Sequence, residues 1–171
     1  KLYLDMELPL AAVLADMERE GVRVEGDKLA DMSQTLAKAI DNCQADIYAI
    51  AGHEFNINSP KQLGAVLFDE LGIPPIKKTK TGYSTDEVLE TLAGQWQIAA
   101  RILDYRLVSK LRSTYTDGLR PLINAQTGKI HTSYMQTVTA TGRLSSVEPN
   151  LQNIPVRHEL GRRIREVFTA D

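Results

Sequence analysis

The chain has 171 residues, 43% of them hydrophobic and 25% charged, and a formal net charge of -2. This is enough apolar material for one globular domain, or for one domain and part of another, and no apolar run approaches the roughly 18 residues of a membrane span. A single cysteine, Cys43, excludes an internal disulfide framework. The opening KLYLDMELPL has neither an initiator Met nor the basic and apolar regions of an export signal, so the chain reads as a cytoplasmic stretch of a longer polypeptide. The small net charge hides a polarised distribution. Residues 1–60 carry 5 Lys/Arg against 11 Asp/Glu, whereas residues 101–165 carry 11 against 4. Local fields follow distribution rather than the average, so an anionic partner stays open for the second half.

Leu10, Val13, Leu14 and Met17 recur at helical spacing, and Gly21 stops that first helix. After a short VRVEG link, Leu29, Met32, Leu36, Ile40, Cys43, Ile47 and Ile50 form a stripe along a second, longer helix. The two stripes predict an antiparallel pair with the apolar faces together. Cys43 on its stripe reads as a small buried hydrophobe. In NINSPKQLGAVLFDELGIPP, Ser59 is a predicted N-cap and Pro60 suits the first helical position, while Leu63, Val66, Leu67 and Leu71 make the buried face. IKKTKTGYSTDEVLETLA then places Lys77, Lys78 and Lys80 in a predicted exposed loop, and Ser84 with Glu87 resembles a capping box. The lysines suit phosphate contact or a solvated surface equally well.

WQIAARILDYRLVSKLRSTYTDGL predicts a long helix with Ile98, Ile102, Tyr105, Val108, Leu111 and Tyr115 inward. Arg106, Lys110 and Ser113 fall on another face at i, i+4 and i+7, where they could follow a phosphate backbone; Asp117 extends the row with the opposite sign. Thr- and Val-rich alternation predicts a strand or hairpin from about Lys129 to Thr139, with a boundary near Leu122 to Thr127. TATGRLSSVEPNLQNIPVR comes next, extended and bent, with turns at Gly142 and at Glu148-Pro149-Asn150. Arg143, Asn150, Gln152, Asn153 and Arg157 crowd this segment with donors that cannot all satisfy one another, so an outside partner is expected; amides bonded to the loop's own backbone are the alternative. His53, His131 and His158 lack metal-ligand spacing, and Ser145-Ser146 has no base nearby in sequence, so no second active site is implied.

TATGRLSS, PNLQNIPVR and GRRIREVF resemble the opening of the palm in the family A DNA polymerases. NSPKQLGAVLFDELGI, KKTKTGYST, YRLVSKLRSTYTDGL and TGKIHTSYMQTVTATGR are similar, in order and spacing, to that family's thumb, so the likeness covers essentially the whole chain. It implies a mainly α fold with a small antiparallel β element: a long antiparallel helix pair with a short helical tip (about 56–95) in a thumb over 1–124, then a palm beginning over 125–171. By residue, it implies Arg143 in the minor groove at the primer end, where every base pair offers acceptors. Asn150, Gln152 and Asn153 would bond the duplex beside it, with Arg157 toward the nucleotide. Arg106, Lys110, Ser113, Ser59, Lys61, Lys77, Lys78 and Lys80 would serve the phosphates.

The implied partners are primer-template DNA and, for the complete enzyme, deoxynucleoside triphosphates, with magnesium as that enzyme's cofactor. No membrane partner and no oligomer is expected. The two-metal chemistry needs carboxylates that the family places beyond GRRIREVF, so no catalytic or metal-binding residue is assigned here and these residues alone are expected to be inactive. Two other readings use the same sequence: a stand-alone, sequence-independent DNA-binding helical module, and a helical scaffold whose partner is a protein.

Overall fold

The computed structural model describes residues 1–74, 78–79, 82–83, 86–155 and 159–170, with backbone alone for those between 78 and 87. Helices dominate. Their apolar stripes, rather than intrinsic propensity, account for most of that order. The chain divides into two compact units, one of residues 35–110 and the other of residues 1–34 with 111–171.

The unit of residues 35–110 holds most of α2 (Gly26–Ala51), then α3 (Pro60–Gly64), which continues as a wider π turn over Ala65–Glu70. A hairpin of β2 (Lys78–Thr79) and β3 (Gly82–Tyr83), α4 (Asp86–Leu92) and α5 (Gln97–Lys110) complete it. Ser59 caps α3 as predicted: its backbone is extended and its hydroxyl accepts from the Gln62 amide. The predicted Ser84–Glu87 capping box lies outside the described side chains. The predicted lysine loop contains the hairpin instead, with Lys78 opposite Tyr83 and Thr79 opposite Gly82. Each strand is only two residues long, too short an alternation to register as strand in the sequence.

One core serves this unit, gathering Cys43 and Ile47 of α2, Leu63, Val66 and Leu67 around α3, Val88 and Leu89 of α4, and Ile98 and Ile102 of α5. Burial pushes the Cys43 thiol up, in keeping with a packing role. Asp46 on α2 meets Arg101 on α5 at 3.1 Å. One turn back on α2, Cys43 feels the carboxylate of Asp104, one turn on along α5. The two long helices therefore run antiparallel.

The other unit begins with a π turn over Tyr3–Glu7 that leads into α1 (Leu8–Glu20). The predicted inward face of α1 is only partly buried. Of its stripe only Leu14 is buried, while Val13 and Met17 stay exposed at 54% and 46%. Polar bonds tie α1 and the turn before it to a later segment: Glu18 accepts from the Tyr134 amide at 2.6 Å, and Glu7 from the Gln136 side chain at 2.9 Å. The VRVEG link is a strand, β1 (Val22–Val24), central in a three-stranded antiparallel sheet between β4 (Lys129–Ile130) and β7 (Phe168–Thr169). Its partners are distant in sequence, so only its two alternating valines hinted at it.

Beyond α5 the long helix widens into a π turn over Leu111–Thr116, then α6 (Asp117–Leu119) and a 3-10 turn over Arg120–Leu122. The predicted inward residues are all buried, from Ile98 to Tyr115. The wide turn stacks residues five apart, so Asp117 meets Arg112 at 3.2 Å and accepts from the Ser33 hydroxyl at 2.5 Å. Its negative charge is thereby tied to Arg112. β5 (Ser133–Met135), β6 (Ser145–Val147) and α7 (Glu159–Arg165) complete this unit, with α7 packed on the π turn.

Candidate nucleic-acid interface

The donor-rich segment is the second half of a β-hairpin. β5 and β6 pair antiparallel, with Ser133 opposite Val147, Tyr134 opposite Ser146, and Met135 opposite Ser145. The predicted strand from 129 to 139 is thus divided: β4 pairs with β1, β5 finds its partner inside the segment itself, and residues 136–144 form the connection that carries Arg143. Gly142, at φ 73°, supplies a left-handed turn there. Its amide bonds the Thr139 carbonyl at 3.2 Å, and the Thr139 hydroxyl donates to the Arg143 carbonyl. The Arg143 side chain is exposed, and no described residue pairs with its guanidinium.

The turn after β6 is braced from three sides. Glu148 takes a φ of 53°, rare for a residue with a Cβ, and the buried Thr132 hydroxyl lies 3.0 Å from the Val147 carbonyl and 2.7 Å from that of Pro149. The Gln152 amide is occupied at both ends: its Oε1 accepts from the Ser146 amide and its Nε2 donates to the Leu144 carbonyl, each at 3.1 Å. Asn150 Oδ1 accepts from the Gln152 amide at 2.9 Å, and the buried Ser146 hydroxyl accepts from the Leu151 amide at 3.0 Å. On the far side the Tyr115 hydroxyl donates to the Asn153 carbonyl. Burial pushes the Tyr115 phenol up, which keeps it protonated and donating.

The expectation that the amides need an outside partner therefore divides. Arg143, Asn150, Gln152 and Asn153 are all exposed, but the side chains of Asn150 and Gln152 also bond the loop's own backbone. A local amide can always compete for nearby backbone groups, and counting donors along the sequence does not show which will win. Beside the loop lies a cleft of about 500 Å³ lined by Leu151, Gln152, Ile154, Arg165 and Phe168.

The remaining predicted residues are spread over other elements. Arg106 is half-buried and Lys110 exposed on α5, Ser113 is exposed on the π turn, and Lys61 is exposed in the first turn of α3 beside Ser59. Lys77, Lys80 and Arg157 lie outside the described residues, and Lys78 is described only as backbone of β2. Sequence reasoning missed Thr132, Ser146 and the bond made by Tyr115. The tyrosine ends an apolar stripe and was counted as core; its hydroxyl was the available signal, since a buried phenol needs a partner. Arg162, Arg163 and Arg165, quoted within GRRIREVF but not singled out, make the last turn of α7 basic.

Among the described residues no group of three or more His, Cys, Asp or Glu side chains could hold a metal ion, so these residues do not fit a magnesium centre. Among the described residues no helix is long and apolar enough to cross a membrane. The family model for DNA polymerase family A matches residues 26–171. The chain belongs to DNA polymerase family A. Within that family it is 54% identical over 169 residues to DNA polymerase I of Geobacillus stearothermophilus, and 55% identical over 168 residues to that of Lactococcus lactis subsp. cremoris (strain MG1363). Each match covers 98% of this chain and 19% of the relative, so this family A chain spans about a fifth of the curated relatives' length. Among solved structures it is similar to the POL domain of Pol1 from M. smegmatis in complex with DNA primer-template and dNTP. That match has a TM-score of 0.89 and 45% identity, and covers 98% of this chain and 30% of the other.

Proposed function

We propose that this chain is the thumb (1–124) and the opening of the palm (125–171) of a cytoplasmic DNA-directed DNA polymerase that acts in replication and repair. Its work is to hold primer-template duplex. Arg143 enters the minor groove at the primer end and bonds purine N3 or pyrimidine O2, acceptors that every Watson–Crick pair presents in the same place. Asn153 joins it, on a loop shaped by Asn150 and Gln152, with Arg157 toward the incoming deoxynucleoside triphosphate. Arg106, Lys110, Ser113, Ser59, Lys61 and the 77–80 lysines hold phosphates. The observation that carries this reading is the exposed Arg143 guanidinium, unpaired among the described residues, on a hairpin whose following turn is braced from three sides. The solved relative with primer-template DNA supports it.

Magnesium would supply phosphoryl-transfer chemistry in the complete enzyme. The residues described do not fit it, so they are given duplex holding and pairing inspection. In the full-length polymerase, Arg143→Ala should slow extension and weaken the penalty for extending a mismatched end, on the order of a hundredfold in kcat/KM for one lost charged contact. Binding to duplexes of unrelated sequence should weaken steeply as salt rises. Unchanged incorporation kinetics for Arg143→Ala would remove its role, and a flat salt titration would remove the phosphate contacts.

A further inference from the structure

Gln152 has both ends of its side-chain amide bonded within its own hairpin. Its carbonyl oxygen accepts from the backbone of Ser146 in β6, its amide nitrogen donates to Leu144, the residue after Arg143, and its own backbone amide is held by Asn150. The amide keeps one N–H and one oxygen lone pair, but its orientation is set by two bonds to its own hairpin rather than by an outside partner. It does fix the path of the chain immediately after Arg143. Its Leu144 bond and the Thr139 hydroxyl on the Arg143 carbonyl clamp two consecutive carbonyls.

We propose that Gln152 is a positioning residue: it acts on the primer end through Arg143, by locking the 143–146 backbone, rather than by touching DNA itself. This rests on the minor-groove role proposed for Arg143. A long flexible cation reaches a fixed acceptor at the cost of its own freedom, and a rigid base of attachment lowers that cost. The gain is realised only when Arg143 is present.

The test uses the full-length polymerase with Gln152→Met, Arg143→Ala and the double substitution. Gln152→Met keeps the size and removes both bonds. The readouts are single-nucleotide incorporation from matched and mismatched primer ends, and hydrogen exchange at the Ser146 amide. Gln152→Met should speed Ser146 exchange on the order of tenfold and lower the matched-to-mismatched ratio, while the double variant should lose no more than Arg143→Ala alone. Gln152→Glu, which keeps the acceptor for Ser146 and loses the donor to Leu144, should fall between wild type and Gln152→Met. Effects that multiply in the double variant would mean that Gln152 meets the duplex itself, and would overturn the proposal. So would unchanged Ser146 exchange in Gln152→Met. A silent Arg143→Ala would instead bring down the minor-groove reading, and this proposal with it.

Discussion

Gly161 in α7 is buried, and the space a side chain would need is already taken by the end of the donor-rich loop. A Cβ built there would sit 2.6 Å from Pro155 Cβ and 2.9 Å from the Pro155 carbonyl oxygen. Ordinary carbon contacts begin at about 3.5 Å, so Gly161→Ala must push Pro155 or α7 aside by roughly 1 Å. Overpacking of this kind costs about 1–3 kcal/mol, and the better helix propensity of alanine returns about 1 kcal/mol. A contact at 2.6 Å belongs in the upper half of that range, about 2–3 kcal/mol, so the net loss is about 1–2 kcal/mol, a factor of roughly 5–30 in local opening. Hydrogen exchange at the α7 amides of the full-length polymerase measures that opening directly, in a region where a global melting curve would average over other domains. Because Pro155 closes the loop that begins at Asn150, the same variant should also hold primer-template DNA less tightly. Exchange in α7 that stays the same or slows would show that propensity outweighs packing, and would refute the close approach of Pro155 to α7.

Leu67, fully buried in the core of residues 35–110, should cost about 2–5 kcal/mol on Leu67→Ala; a loss below about 1 kcal/mol by denaturant titration would contradict that packing. His53 bonds Glu70 through Nε2 at 2.6 Å and the Glu54 carbonyl through Nδ1 at 3.1 Å. The Glu70 side chain, and then the Glu54 carbonyl, raise its pKa above the ordinary histidine value. The pair therefore adds its stability below about pH 6.5, where the unfolded residue is also charged, and loses it as pH rises through the raised folded value. An NMR titration of the His53 ring should show the upward shift and its reversal in Glu70→Gln; an identical titration in the two proteins would exclude the clasp.

Elements whose reasons are local were legible in the sequence. The buried face from Ile98 to Tyr115 follows from spacing alone, and the Ser59 cap from a hydroxyl ahead of a proline. The failures share a different cause. α1 shows a helical stripe, but nothing in its spacing says that Val13 and Met17 stay exposed or that Glu18 and Glu7 bond Tyr134 and Gln136. β1 needs partners more than a hundred residues away, and so leaves only a two-valine trace. At the candidate site, the turn residues marked out the bent loop, and Arg143 stands exposed on the connection that leads into it. The internal bonds of Gln152 could not be read in advance, because a free amide and one bonded across a hairpin are spelled the same way. The wide turn over Leu111–Thr116 shifts the faces of the residues after it, which is why Asp117 leaves the predicted basic row for Arg112.

The central strand of the three-stranded sheet also has a history during synthesis. Val22 pairs with Ile130, and Val24 with Phe168. At roughly 5–20 residues per second, β1 leaves the ribosome on the order of ten seconds before its first partner. During that interval both of its hydrogen-bonding edges are open to other chains. Arg23 between the two valines, and the acidic residues Glu20 and Glu25 that flank them, are the kind of charges that discourage such encounters. The strand that unites the beginning, middle and end of this unit is also the one that must wait longest to be completed.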